Sequence, residues 1–426
     1  MPSATTVEGT RRDTADVLIV GAGAAGLAAA IFCARAAPGR HIVCVDGAKT
    51  VGAKILVSGG GRCNVTNRVV TEQDFWGGDR RVIRNVLRAY SAARAVAFFE
   101  ELGVELDEEG DGKYFPISNR ARTVLDSLLR ALTAAGAELH TSRRVSAIKR
   151  TQRGFIVESR AATACETPIV VLATGGCSLP KTGSDGAGYA FARELGHSYV
   201  ETTPALVPLI LGNSRYNNLA GVAHTVSVSV RSGAAVPVRL EGAMLWTHFG
   251  VSGPVILNAS RHWLRARLEG NPVEVALCVL PGATFGALEA WMHDQQRAHP
   301  RALVRTTLAT RLPASIAEAW IETAGIDAAT AMAHLPREAR RRLIASLLET
   351  PLGVVDSRGY NYAEVTAGGI PLSQIDAATM ESRMCPGLYL IGEMLDVDGR
   401  IGGFNFQWAW SSAWVAASAI ARRLRA

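Results

Sequence analysis

The stretch from Asp16 to Asp46 constrains this chain more than any other. An apolar run, Val17-Leu18-Ile19-Val20, leads into Gly21-Ala22-Gly23-Ala24-Ala25-Gly26 and then into Leu27-Ala28-Ala29-Ala30-Ile31. A second apolar run, His41-Ile42-Val43-Cys44-Val45, ends at Asp46, twenty positions after Gly26. The order is strand, glycine turn, helix, strand, acid. The three glycines serve different ends. Gly21 makes the tight turn, Gly23 lets a pyrophosphate approach the backbone, and Gly26 lets helix and strand pack closely. The helix that opens at Ala24 and Ala25 offers free N–H groups and the positive end of its dipole to a phosphate. Asp46 is placed to accept a hydrogen bond from a ribose hydroxyl. In this setting the glycine pattern is a dinucleotide fingerprint, which the bare hexapeptide is not.

Three further glycine-rich turns follow apolar or polar runs of the same kind. Lys54 to Asn67 carries Ser58, Gly60, Gly61, Arg62, Cys63 and Asn64, and is expected to be a cofactor-facing loop, because consecutive glycines favour no regular element. Pro168 to Ala173 reads as a buried strand of a parallel sheet and runs into Thr174-Gly175-Gly176. Gly387 to Glu393 is another such strand, and Gly392, Glu393, Asp398, Gly403, Phe404, Asn405 and Phe406 lie in or just after its turn. Ligands bind at the carboxyl ends of strands in open α/β sheets, so the four turns are expected to converge on one long ligand. FAD has the length and the parts. The cofactor set also takes in Val145, at the head of the strand 145–149, and Ala173.

A chain of 426 residues is too long for one compact core. The fold class is α/β, a Rossmann-like FAD-binding domain with a parallel sheet, interrupted by an inserted β plus helical domain. We read 1–15 as a flexible tail, 16–200 and 357–426 as the two parts of the FAD-binding domain, and 201–356 as the insert. Within the insert, 201–283 is a β unit and 284–350 is helical. Single helices are expected over 82–102, 120–135 and 187–195, and Ser252 is placed to cap a helix that starts at Pro254. Seven cysteines without a C-x-x-C argue against a disulfide framework and fit a cytoplasmic protein. No run is apolar and long enough to span a bilayer. The formal charge of +7 is scattered in short arginine clusters with no basic stripe interleaved with aromatics, so no nucleic-acid partner is expected from it.

The motifs VLIVGAGAAGLAAA at 17–30, KILVSGGGRCNVTN at 54–67, VLATGG at 171–176, GSDGAGY at 183–189, THFGVSGP at 247–254, EVTAGG at 364–369 and GEMLDVDGRIGGFNFQWAWSS at 392–412 resemble those of the BaiN/YhiN-type NAD(P)/FAD-dependent oxidoreductases. The resemblance runs from end to end. It implies non-covalent FAD, a two-dinucleotide-binding fold split by an insert, and a bacterial cytoplasmic enzyme. It implies a small organic substrate only loosely, through a member that reduces a ring double bond in a bile-acid pathway. Asp46 stands where such flavoproteins commonly carry Glu, and Phe404 stands where Tyr is more usual. No second complete G-x-G-x-x-G is present, so NAD(P)H as a transient reductant rests on the resemblance alone.

Several residues admit two readings. Cys63 is a redox thiol or a small packed residue; without a second cysteine nearby the packed reading is favoured. Arg62 holds a phosphate or a substrate carboxylate, or has a structural role beside the cofactor. Glu393 and Asp398 bind ribityl hydroxyls or orient the glycine loop. His248 is a proton donor to substrate or a histidine that tethers a loop. Trp408, Trp410 and Trp414 are read as core. The reaction class expected is a flavin-dependent reductase or dehydrogenase acting by hydride transfer through flavin N5. The alternatives are a flavoprotein that modifies RNA and a non-catalytic flavin-bearing sensor.

Overall fold

Apolar runs that end in glycine belong in a sheet buried on both faces, and four fully buried apolar strands pair side by side here, with a polar fifth strand at one edge. The computed structural model describes residues 13–160, 162–212 and 215–426. The chain divides into two units, one made of residues up to Thr202 together with Glu364–Ala426, the other of Thr203–Ala363. In the first unit the parallel sheet has the order Leu388–Leu390, Val170–Leu172, Val17–Val20, Ile42–Val45, Glu138–His140. Val20 lies beside both Leu172 and Val45, and Leu172 beside Leu390, so the carboxyl ends of four strands are level. The helix Ala24–Ala36 is buried from Ala25 to Ala34 and packs against the long C-terminal helix Phe404–Arg425. Its alanines keep the two axes close.

The C-terminal helix buries polar side chains as well as apolar ones, and each finds a partner. Gln407 accepts from Thr66 Oγ1 (2.6 Å) and donates to the Tyr90 carbonyl (2.9 Å). Ser411 Oγ donates to that same carbonyl at 2.8 Å. Trp408 Nε1 donates to the Gly392 carbonyl (3.1 Å), Trp410 Nε1 to the Val65 carbonyl (3.0 Å), and Ser412 Oγ accepts from the Gly392 N–H (3.1 Å). The tryptophans are therefore core residues that also bond. Through their indole N–H groups they fix the glycine turn at 392 and the segment 63–67 onto the helix.

Beside the parallel sheet, Val145–Thr151, Gly154–Ser159 and Ala162–Thr167 form an antiparallel meander, and Asp13–Thr14 adds a parallel edge through Cys165 and Glu166. The strand Ala162–Thr167 has no clear period in sequence, and only its partners reveal it. The flexible tail expected over 1–15 falls mostly outside the described residues, but Asp13 and Thr14 are already tied into this sheet. The helix expected over 82–102 is two, Arg80–Ala89 and Ala92–Glu101, parted at Tyr90 and restarted at Ser91 in extended conformation.

The second unit carries a seven-stranded antiparallel sheet in the order Thr350–Pro351, Val273–Cys278, Ala223–Ser232, Val238–Thr247, Gly250–Ser252, Leu209–Leu211, Val354–Ser357. Val226, Val228 and Val230 alternate inward with polar neighbours outward, the pattern of a sheet solvated on one face. Helices Phe285–Ala298, Val304–Leu308, Ala314–Thr323 and Arg337–Leu348 occupy the region read as helical. The helix Pro254–Leu268 starts at the expected proline, but its cap is Gly253, with no side-chain bond, and not Ser252. Among the described residues no helix is long and apolar enough to cross a membrane.

The tryptophan bonds give a stability prediction. Trp410→Phe keeps most of the ring burial and leaves the buried Val65 carbonyl without that donor. It should lower unfolding stability by about 1–3 kcal/mol, read as a drop in urea midpoint at unchanged m.

Candidate functional site

The level strand ends are where the glycines matter. Gly21 continues the pairing, its N–H donating to the Val45 carbonyl at 2.8 Å, and it takes φ +104°. A Cβ on Gly21 would lie 2.5 Å from the Ala173 carbonyl oxygen, and one on Gly26 would lie 1.8 Å from that of Gly21. Neither can be borne. A Cβ on Gly23, by contrast, would meet nothing within 4 Å. Two of the three glycines thus make a backbone contact, and the third borders open space at the head of a helix.

That helix, Ala24–Ala36, has Gly23 as its N-cap and no side-chain cap. The C-terminal helix has Gly403 as its N-cap at φ +91°, also without a side-chain cap. Each leaves backbone donors of its first turn unclaimed by protein side chains, which is the local chemistry an anion or a developing negative charge requires. Gly392 approaches the first helix closely: its Cβ would come within 2.9 Å of the Ala25 methyl. The turns at 21–26, 174–176 and 392–403 therefore share one corner of the first unit.

The segment after Asp46 joins them. Ala53–Gly61 begins as helix, not loop, and Ser58, Gly59, Gly60 and Gly61 leave helical geometry. This corrects the expectation of a loop throughout: Lys54 to Val57 complete a helical turn before the glycines end it. Lys54 Nζ donates to Glu393 Oε2 (2.5 Å) and Ser178 Oγ (2.7 Å). Glu393 Oε1 accepts from Ser178 Oγ (2.9 Å) and from the Thr366 N–H (3.0 Å). Thr366 Oγ1 accepts from the N–H groups of Cys177 and Ser178 at 2.8 and 3.1 Å. One charged pair and two hydroxyls thus lace the helix at 53, the turn after Leu172, the strand Val365–Gly369 and the turn at 392. Sequence reasoning missed Ser178 and Thr366; the small polar residue flanking each double glycine was the available signal.

Other members of the expected cofactor set have their side chains engaged elsewhere. The Arg62 guanidinium stacks on Phe115, 3.9 Å from the ring centroid, and bonds Glu109 at 2.6 Å. Cys63 is buried at φ +64°, and burial pushes its thiol up to about 12, which removes the redox thiolate. Asn64 donates to the Thr66 and Tyr114 carbonyls and accepts from the Gly403 N–H at 3.1 Å, an orientation set by its hydrogen-bond network. Asn405 clamps Gly399 through both ends of its amide, at 2.8 and 2.9 Å. Phe404 is buried edge-on to Phe75, and Phe406 stacks on Trp410. Asp398 is buried on the strand Val397–Gly399.

Asp46 also has partners. Its Oδ2 accepts from the Ala22 N–H and its Oδ1 from the Ala48 N–H, both at 2.7 Å. A carboxylate has about four acceptor directions, so about two remain for a ribose. Gly175 and Gly188 keep the second turn tight: their Cβ atoms would strike Ser184 Oγ at 2.6 Å and Thr174 Oγ1 at 1.8 Å. Val145 is buried at the head of the meander. His248 lies in the second unit, at the exposed tip of the two-residue turn between Val238–Thr247 and Gly250–Ser252. Gly250 and Gly253 beside it are packing glycines, with Cβ positions 2.4 Å from the Leu209 carbonyl and 2.9 Å from that of Ala243.

Comparison with known proteins agrees with this geometry. A family model described as the HI0933-like protein Rossmann domain matches residues 15–419. The chain belongs to the HI0933-like family. It is 32 % identical over 405 residues to the 3-dehydro-bile acid delta(4,6)-reductase of Clostridium scindens, covering 95 % of this chain and 98 % of that one. It is 33 % identical over 409 residues to the ribosomal RNA dihydrouridine synthase of Escherichia coli, covering 94 % and 97 %. A quinol-fumarate reductase solved with menaquinol superimposes at a TM-score of 0.52 and 16 % identity, over 97 % of this chain and 72 % of that one. That last likeness is one of fold.

The HI0933-like family is one of flavin-dependent oxidoreductases with an FAD-binding Rossmann domain, and the residues present suit FAD. The open space at Gly23 and the uncapped helix head would hold the pyrophosphate. Asp46 would hold the ribose, and the second uncapped helix head at Gly403 the flavin's pyrimidine edge.

Two outcomes are expected. Gly23→Val should fold, losing roughly 1 kcal/mol for a poor N-cap, yet purify without bound flavin. Gly26→Val should not fold at all, since its side chain meets the Gly21 carbonyl; circular dichroism and flavin absorbance together separate the two. Second, iodoacetamide at mildly alkaline pH should leave Cys63 unmodified in native protein and label it after denaturation, because its thiol stays protonated below about 12. Peptide mapping reads the result.

Proposed function

We propose that this enzyme uses FAD to add hydrogen across an electron-poor C=C conjugated to a carbonyl in a small organic molecule, with NAD(P)H as the source of electrons. The observation that carries this reading is the double helix-head cradle at Gly23 and Gly403, both uncapped, within a chain related over nearly all its length to a delta(4,6)-reductase. Bound there, FAD supplies a two-electron carrier that accepts and delivers hydride at N5. The protein's part is to hold charge. The uncapped N–H groups at Phe404 and after would favour negative charge on the pyrimidine edge, a preorganised electrostatic aid that costs no rearrangement. The Lys54–Glu393 pair would keep the turn at 392 fixed against that edge.

A second reading is an RNA substrate, in keeping with the dihydrouridine synthases among the relatives. Dihydrouridine is uridine with its ring C=C reduced, so the chemistry is the same and only recognition differs. The observation that favours it is stacking in the second unit. Arg311 lies over Trp291 at 4.3 Å and Arg341 over Phe285 at 5.3 Å, both arginines exposed and without an acid partner among the described residues. Such pairs are surfaces on which unstacked bases settle. Linear scanning does not reveal them, because the partners of each pair lie 20 or more positions apart.

Anaerobic stopped-flow tests the proposal. NADH or NADPH should bleach the oxidised flavin band, and cyclohex-2-enone should restore it. No bleaching by either nucleotide refutes the nicotinamide part. If enones leave reduced flavin untouched while ribosomal RNA fragments reoxidise it with salt-sensitive affinity, the second reading replaces the first.

A further inference from the structure

The GSDGAGY stretch at 183–189 has no role in the cradle described so far, yet it packs on one of the cradle's turns. The Gly186 N–H donates to the Gly176 carbonyl at 3.1 Å, and Ser184 Oγ lies 2.6 Å from where a Cβ on Gly175 would stand. The turn after Val45 carries an addition of its own. The Arg143 N–H donates to the Asp46 carbonyl at 2.8 Å, and the Ser142 N–H to that of Ala48 at 3.0 Å. Arg144 follows at once, with its stem on Gly47: a Cβ there would stand 2.7 Å from the Arg144 Cδ.

The two additions meet. Arg144 Nη2 donates to Asp185 Oδ2 at 2.5 Å, while Asp185 Oδ1 accepts from the Ala187 N–H at 3.2 Å, which holds the carboxylate at the start of the helix Ala187–Glu194. Ile42–Val45 and Val170–Leu172 are the two neighbours of the central strand Val17–Val20. Adjacent strands lie about 4.8 Å apart, so the turns beyond these neighbours are about 10 Å apart, with the Gly21 to Gly26 turn between them. The ion pair thus joins the two flanks of the strand end from which the first helix starts. Each partner is 43 % exposed, and a pair so open to water contributes little to folding. Its place matters more than its strength. A ligand with its pyrophosphate at Gly23 and its ribose at Asp46 runs from the central strand to one neighbour. The pair starts beside Asp46 and crosses that same strand end.

We propose that Arg144 and Asp185 form a latch across the adenosine half of bound FAD. The latch rests on the FAD cradle at Gly23 and Asp46. Asp185 takes one guanidinium nitrogen, and among the described residues Nε and Nη1 of Arg144 have no partner. Those donors and the flat face of the guanidinium suit a purine, which offers ring nitrogens as acceptors and a planar face to stack on. Closed, the pair keeps the adenosine from leaving the groove. Opening breaks one charge-assisted bond and no part of the core. Because both partners are exposed, dissolved salt weakens their attraction, so the latch makes cofactor retention depend on ionic strength.

The test follows FAD release from the loaded protein, read as the change in flavin fluorescence after dilution. Arg144→Gln and Asp185→Asn should each release FAD tenfold or more faster than wild type. The double variant should release it no faster than either single one, because both changes break the same bond. Potassium chloride should speed release from wild type and leave the double variant unchanged. Arg144→Lys, which keeps a cation against Asp185, should fall between and guards against misfolding of the glutamine variant. Lys149→Gln breaks an exposed ion pair with Glu158 on the meander and should release FAD as wild type does. The visible spectrum of flavin still bound should be that of wild type in every variant, since the latch touches only the adenosine half. Unchanged release in both single variants, additive effects that salt does not alter, or a shifted flavin spectrum overturns the latch. Protein that neither carries nor takes up FAD refutes the cofactor reading itself, a result distinct from loaded protein whose release ignores Arg144 and Asp185.

Discussion

The contact between the Gly26 backbone and the Gly21 carbonyl underlies the rest of the first unit. With no room for a Cβ between them, the first helix can lie directly on the strand ends. That angle aims its uncapped head at the open space beside Gly23. The same device recurs where Gly188 meets Thr174, where Gly392 meets Ala25 and where Gly403 meets the Thr66 carbonyl, its Cβ 2.5 Å away. In each case a neighbouring atom stands where the glycine's side chain would be, and the glycine shows only backbone. Backbone is what a pyrophosphate and a flavin edge need to meet, because N–H donors are fixed in direction and carry no rotamer entropy. The glycines lose conformational freedom on folding, and burial of the alanine-rich helix and of Val17–Val20 offsets that loss.

Rigidity comes from buried polar groups. A helix whose head is left uncapped for a ligand is a weak point unless something else anchors it. The C-terminal helix is anchored along its flank by Gln407, Trp408, Trp410, Ser411 and Ser412, each hydrogen-bonded to backbone of a neighbouring turn. Satisfied networks of this kind in a low-dielectric interior hold one geometry, since any shift leaves a buried donor or acceptor unpaired. Lys54, Glu393, Ser178 and Thr366 do the same at the opposite rim. The cradle is stiff because its walls are tied to one another, and its floor stays free of side chains.

The parallel sheet and the helical stretch of the second unit were legible because they are carried by local pattern: apolar runs of strand length, glycine at their ends, helical spacing over 284–350. The compact second unit, Thr203–Ala363, stands against an insert read over 201–356. What escaped was set by distant partners. Lys54 meets Glu393 across 339 positions, and Thr66 meets Gln407 across 341, so no window along the chain contains both. Arg62 and Asn405 were read beside the cofactor as donors next to glycines; that the first stacks on Phe115 and the second clamps Gly399 is something no local pattern announces. The break at Tyr90 escaped because the apolar stripe runs on through it, while the Tyr90 carbonyl is claimed by Gln407 and Ser411 from another helix.

Asp46 shows how one methylene group divides a residue's labour. A longer acid at the end of this strand would extend past the glycine turn toward a ribose. The aspartate carboxylate stays within reach of the turn and takes the Ala22 and Ala48 N–H groups at 2.7 Å each. Ala22 lies between the glycine that turns and the glycine that borders the open space, so this bond and the burial of the Ala22 methyl together fix the loop between them. The carboxylate therefore acts first on the loop. Its bonds to two amides hold the carboxylate on the loop, with acceptor directions left over for a ribose hydroxyl. Ordering the turn before the ligand arrives lowers the entropy that binding must supply.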